Sequence, residues 1–389
     1  SVAAIIDAVE VVDRHTVRVN LKQPHAGFLF QLTGATGTPL GGMLSKKAME
    51  SMGEEGFGRR PVGTGPMRFK QWITDDRVVL ERNPDYWENG EDGKPLPYLD
   101  GFVSRYIPDP TVALVDLQSG AQHVLDNVPA KDVAAVKANP ELVYWEISWA
   151  GPGYFLGGFN VHQGQFTDIR LRKACLHAID RDAMVKALTF GIGKPWYYPW
   201  WFPGMLGYDE SIPKYEYNPA KVKQYLQEAG KPNGIETSML IISREPERTI
   251  GEMVAQMWTA NGIRTKLEAL ERLTWIDRMR SKNFEFGFWR QSQPMPESSF
   301  NDNFLKSKAP GNWSQFEDPK VDQLLDAARA TYDERRRHEL YKEVLTYIQE
   351  QAYLTTGYMT PTTKAYRKNV KGLTVQYFFT DARKAWIDQ

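Results

Sequence analysis

The chain has 389 residues, 42% of them apolar and 25% charged, enough for two or three domains with sizeable cores. Lysine plus arginine and aspartate plus glutamate both total 48, which leaves no basic field for a nucleic-acid partner. A single cysteine, Cys175, excludes an internal disulfide framework and a cysteine-rich metal site.

No apolar run approaches the ~20 residues of a membrane span, and no signal peptide precedes the start at Ser1, which reads as a processed or truncated product. The first predicted unit is a strand pair over 9–21, where Thr16 to Leu21 alternates as a half-buried strand does. A Gly/Pro turn at 61–66 leads into a hairpin, with one strand over 67–73, a turn at Asp75-Asp76 and a return over 78–81. An extended segment near 102–107 and a Pro108–Pro110 break precede a helix from Thr111 to about Ser119.

The second half is more regular. In DIRLRKACLHAIDRDAMVKAL (168–188), Leu171, Cys175, Ala178 and Ile179 share one helical face, with Thr167 as the expected N-cap. Asp180 caps a second short helix whose apolar side is Met184, Val185 and Leu188. Asn218-Pro219 opens another helix, with Val222, Tyr225 and Leu226 as its stripe and Gly230 at its close. Then come strand 237–243, helix 247–261, strand 263–270, helix 272–281, strand 284–289, and helices near 319–331 and 333–351. Strand–helix alternation of this kind predicts an α/β lobe with largely parallel strands.

Between these elements lies KPWYYPWWFPG (194–204), where six of the seven positions from 196 to 202 are aromatic. Pro195, Pro199 and Pro203 forbid a regular helix there and disfavour a central strand. The run either plugs a core or faces a partner that favours flat apolar surfaces. Catalytic signatures are absent: no HExxH, no GxSxG and no complete phosphate loop. Six scattered histidines have no metal-ligand spacing, His177 reads as a packed or surface histidine, and Cys175 as a small core residue. Nothing demands an enzyme, a metal or a cofactor.

PVGTGPMRFKQW with LERNPDYW (61–87), LKQPHAGFLFQL (21–32), FNVHQGQFTDIRLRKACLHAIDRDAMV (159–185) and YEYNPAKVKQYLQEAGKPNG (215–234) together resemble the family 5 extracytoplasmic solute-binding proteins of ABC importers. That family comprises dipeptide-, oligopeptide- and nickel-binding receptors. The four segments occur in family order, and the resemblance runs over nearly the whole chain. It implies a type II periplasmic-binding-protein fold, α/β with an accessory domain and two lobes closing on a ligand in the cleft between them. Residues 1–60 would be a remnant of the accessory domain, 61–159 with 370–389 lobe I, and 160–369 lobe II. The resemblance also implies on the order of a hundred further residues ahead of Ser1 in typical members. The implied partners are a small-molecule or peptide ligand and a membrane-embedded ABC permease, with the protein a monomer in the periplasm or a cell-surface lipoprotein.

The resemblance also directs attention to candidate ligand residues. Dipeptide receptors of the family close the last lobe II strand with a G-W-x-x-D-x-x-D-P pattern whose first aspartate pairs with the peptide ammonium. Here Trp289 and Pro296 fit, but Ser292 and Met295 replace the acids, so a free ammonium would lack its carboxylate. Arg290 instead offers a cation for a carboxylate or sugar hydroxyls, and Arg244 and Arg248 are weaker candidates for a carboxylate pocket. Asn160 falls at an expected lobe crossing. Six exposed rings would forfeit too much apolar burial. Several must therefore pack, while two or three line the cleft, with Trp200 and Trp201 between the prolines favoured and Trp196 and Tyr197 the further candidates. Flat rings suit apolar side chains or sugar faces, so an oligosaccharide is the competing ligand, and a Trp-rich glycoside hydrolase is the alternative of another class.

Overall fold

The computed structural model describes residues 5–32, 42–147, 154–291, 298–375 and 380–388. The chain forms two compact units, one of residues 1–31 with 148–361 and one of 32–147 with 362–389. The expected lobe boundaries lay at 159/160 and 369/370, so the strands flanking each crossing are divided differently. Residues near the start also associate with the larger unit, where Ala26 N–H donates to Arg329 C=O at 2.9 Å.

The smaller unit carries the predicted hairpin. Met67–Ile73 and Arg77–Arg82 pair antiparallel, and Gly101–Arg105 adds a third strand. The helix Pro110–Ser119 follows, with the Asp109 carboxylate accepting from the Thr111 N–H and proline in its first turn. A second antiparallel sheet sets Thr362–Arg367 between Val124–Asp126 and Leu142–Ile147, so a late strand completes a sheet begun some 240 residues earlier in the chain, a pairing that ~2-residue periodicity cannot announce. Leu114, Leu117, Val133, Val136 and Ala365 are buried here.

The larger unit is built on a five-stranded sheet. Its order is Ile263–Leu270, Ile235–Ile242, Phe286–Gln291, Tyr154–Phe159, Leu354–Thr356. The first three strands run parallel, as the strand–helix alternation predicts, with Glu247–Ala260 and Arg272–Arg280 as the intervening helices. The other two pairings are antiparallel because Tyr154–Phe159 alone is reversed, so four of the five strands point the same way and the largely parallel expectation holds. Tyr154–Phe159 and Leu354–Thr356 come from distant chain segments and need no crossover helix. Gly157 is required where it lies: a Cβ there would collide with the Phe286 ring of the neighbouring strand.

Helix starts follow the sequence rules with one correction. Asp180, Asn218, Asp318 and Asp333 each accept from a first-turn N–H. The cap of Ile169–His177 is Asp168, not Thr167: its carboxylate accepts from the Arg170 N–H at 2.9 Å. Thr167 sits in the preceding tight turn, and its hydroxyl donates to Gly164 C=O instead. Cys175 is fully buried on the predicted apolar face, and burial pushes its thiol well above the usual range, as suits a core residue.

Candidate functional site

The aromatic run has no regular structure beyond a two-residue strand at Lys194–Pro195, which pairs with Tyr358–Met359. Trp196, Tyr198, Trp200, Trp201 and Phe202 are all buried in one core of the larger unit, together with Leu240, Ile242, Trp275 and Trp289. Polar handles on the rings are met locally. The Trp201 indole N–H donates to Leu206 C=O at 2.9 Å, that of Trp196 to Tyr198 C=O at 2.8 Å, and the Tyr198 hydroxyl to Ile212 C=O at 3.0 Å. Trp196 stacks on Phe202 with centroids 5.0 Å apart, and Trp200 on Phe304 at 3.9 Å. Trp200 holds φ at 67°, a left-handed conformation that costs an aromatic residue ~1–2 kcal/mol. The stack and the Asn301 amide, donating to Trp200 C=O at 3.3 Å, oppose that cost. Tyr197 is the half-buried member of the run.

Arg181 organises this loop, and sequence reasoning did not single it out. It is 3% exposed and has no carboxylate within ion-pair distance among the described residues. Its guanidinium donates to Trp196 C=O and Thr356 C=O, both at 3.0 Å, and to Tyr215 C=O at 2.8 Å, and it lies 4.9 Å from the Tyr197 ring centroid. Burial pulls its pKa down to about 10, so it stays charged at neutral pH. One buried cation therefore ties the loop to the last strand of the sheet. The available signal was an arginine directly after a helix-capping Asp180, but its partners are carbonyls up to 175 residues away.

Open α/β sheets bind ligands outside the carboxyl ends of their parallel strands. On the larger unit that edge is set by register. Ile242 pairs with Leu270, and Leu240 with Gly287, so Trp289 comes level with Ile242. Arg244 leaves the edge two residues beyond Ile242. Its side chain is 51% exposed, and Nε and Nη2 donate to the fully buried Glu247 carboxylate at 2.9 and 2.6 Å. That leaves the outer nitrogen, Nη1, without a hydrogen bond among the described residues. Arg248, one helical turn on, pairs with Glu252 at 3.1 Å on an exposed face.

Trp289 is buried, and its indole N–H, like that of neighbouring Trp275, has no hydrogen-bond partner among the described residues. The two ring centroids lie 6.3 Å apart. Asn160 is buried and serves as a clamp, its amide donating to Lys282 C=O and Phe284 C=O at 2.8 Å while its oxygen accepts from the His162 N–H. Ser292 and the Arg290 side chain lie outside the described residues. His177 is buried, with a ring nitrogen 2.7 Å from Glu216 C=O. Among the described residues no group of three or more His, Cys, Asp or Glu side chains converges on a metal position.

Residues 2–313 match the family described as bacterial extracellular solute-binding proteins, family 5 Middle. The chain is 27% identical over 390 residues to the dipeptide-binding protein of Escherichia coli, covering 95% of this chain and 69% of that protein. It is 29% identical over 365 residues to heme-binding protein A of Haemophilus influenzae, covering 90% of this chain and 63% of the relative. The structure of HbpA2 from Haemophilus parasuis superposes with a TM-score of 0.83 at 27% identity, over 99% of this chain and 76% of the other.

Proposed function

The chain belongs to the bacterial extracellular solute-binding proteins of family 5, and we propose that it is the substrate-binding receptor of an ABC importer for a small peptide or peptide-like solute. It delivers that solute to a membrane-embedded permease and acts as a monomer, in the periplasm or as a cell-surface lipoprotein. Its fold class is the α/β two-lobed type II periplasmic-binding-protein fold of its structural neighbours. The family is one of binding proteins rather than enzymes.

The observation that carries the ligand reading is Arg244. It stands at the carboxyl edge of a parallel sheet, is anchored through two nitrogens by a buried carboxylate, and has a half-exposed side chain whose remaining nitrogen makes no hydrogen bond among the described residues. An anchored guanidinium of this kind is preorganised to take a carboxylate, such as the C-terminus of a peptide. Trp289 and Tyr197 are the candidate ring contacts. Trp196, Trp200 and Trp201 support the edge from the core that they share with Ile242 and Trp289.

Mass spectrometry of solute released from protein purified from its native host tests this. Recovery of peptides or peptide-like acids, with binding weakened at least tenfold by Arg244→Gln, is the expected result. Recovery of an oligosaccharide, or hydrolysis of one, overturns the reading.

A further inference from the structure

Arg272 is a second cation at the same edge. Ile263–Leu270 lies beside Ile235–Ile242 in parallel register, and the Ser243 N–H donates to Leu270 C=O at 2.8 Å just past the last pair. Arg244 and Arg272 therefore leave adjacent strands at the same level, each two residues beyond the Ile242–Leu270 pair. Arg272 is exposed in the first turn of Arg272–Arg280 and has no hydrogen bond or ion pair among the described residues. The next residue, Leu273, is 76% exposed, an apolar side chain facing water beside the free cation. One turn on, Trp275 is buried in the core, its indole N–H without a hydrogen bond among the described residues. The acids on these turns are Glu247, which holds Arg244, Glu245, which accepts from the Thr249 hydroxyl at 2.7 Å, and Glu271, which is exposed. The edge thus offers hydrogen-bond donors from two arginines and an apolar contact, and its missing counterpart is an acceptor-rich solute.

We infer that Arg244 and Arg272 form a two-cation edge that selects solutes carrying two carboxylates, an inference that rests on the receptor reading above. One carboxylate goes to the anchored Arg244. The second goes to Arg272, whose unpaired fork is free to bind it through two nitrogens. Selection between one and two carboxylates then comes from Arg272 alone.

The test is isothermal titration of the full chain with matched probes: Ala-Glu against Ala-Gln, and glutathione against its monoethyl ester. We expect the two-carboxylate member of at least one pair to bind about tenfold tighter, the scale of one charge-assisted hydrogen bond. Arg272→Gln should bring that ratio to about one through lost affinity for the two-carboxylate member, with the melting temperature unmoved. Arg264→Gln, at the opposite end of the sheet and paired to Glu236, should keep the ratio. Equal binding within both pairs by the unaltered protein, or a ratio insensitive to Arg272→Gln, overturns the two-cation edge and leaves the receptor reading standing. Binding of none of the four probes, together with release of a non-peptide solute from the native protein, overturns both.

Discussion

Replacing Trp201 by alanine would excavate the centre of the larger unit's core. The indole is fully buried, and it packs toward Tyr341 of helix Glu334–Gln351 with centroids 6.5 Å apart. A ring of this size buries ~150–250 Å², and at ~25 cal/mol per Å² that is ~4–6 kcal/mol as an upper bound. Truncations of Phe or Trp in cores cost ~3–5 kcal/mol once partial collapse is allowed. The Leu206 carbonyl loses the indole N–H but keeps the Ser298 hydroxyl at 2.7 Å, so it adds little. The expected loss is therefore ~3–5 kcal/mol, a large share of the ~5–15 kcal/mol that holds a domain folded. Urea denaturation followed by far-ultraviolet circular dichroism reads it as a midpoint lowered by ~1–2.5 M, taking a slope of ~2–3 kcal/mol per M. Tyr197→Ala, which removes a half-buried ring, should shift the midpoint much less. A Trp201→Ala midpoint within ~0.3 M of the unaltered protein would refute the packing account. It would restore the alternative, that this ring lines the ligand site.

Three more tests follow from the geometry. Arg181→Met should cost roughly 1–3 kcal/mol, because it strands the Tyr215 carbonyl and takes one donor from the Trp196 and Thr356 carbonyls, which keep threonine hydroxyls. Arg181→Lys should not rescue it, since an ammonium lacks the planar fork, and hydrogen exchange should localise the loosening to 194–215. Asp302 is largely covered, its side chain 14% exposed, and desolvation, only partly offset by Arg329 and Lys306, raises its pKa from 3.8 to about 7. A raised native pKa means the folded state binds the proton more tightly, so the stability it contributes is fully present below pH 3.8 and lost as pH rises through about 7. Accordingly Asp302→Asn should gain relative to the unaltered protein at pH 8 and lose much of that advantage by pH 5, in urea midpoints at the two pH values; a constant difference would contradict the assignment. Finally, Asp168→Ala should cost ~0.5–2 kcal/mol as a lost helix cap, and Thr167→Ala clearly less; the reverse order would reinstate Thr167 as the cap.

Local structure was readable from residue order wherever its cause is local. The helices at 219–228, 319–330 and 334–351 announce themselves by Asn or Asp caps and an apolar stripe, the first two also by a first-turn proline. The 67–82 hairpin is marked by alternation around Asp75-Asp76, where Asp75 takes φ 59°. The exception at Thr167 is instructive. Threonine and aspartate both cap helices, and only the backbone path shows which of two adjacent residues meets the first-turn N–H groups.

What residue order by itself determined is the family, the α/β alternation, the helix ends and the refusal of 194–204 to become a helix or a central strand. Each depends on neighbours within a few positions or on prolines that lack an N–H. Only the tertiary structure decided where the six rings of that run go, because burial is a property of what arrives from elsewhere in the chain. Phe304, Tyr341 and the Arg181 guanidinium meet the loop from well outside it and turn an exposed-looking aromatic stretch into core. The same holds for the candidate ligand edge: Arg244 and Arg272 are 28 positions apart, and only the parallel register of two strands brings them level.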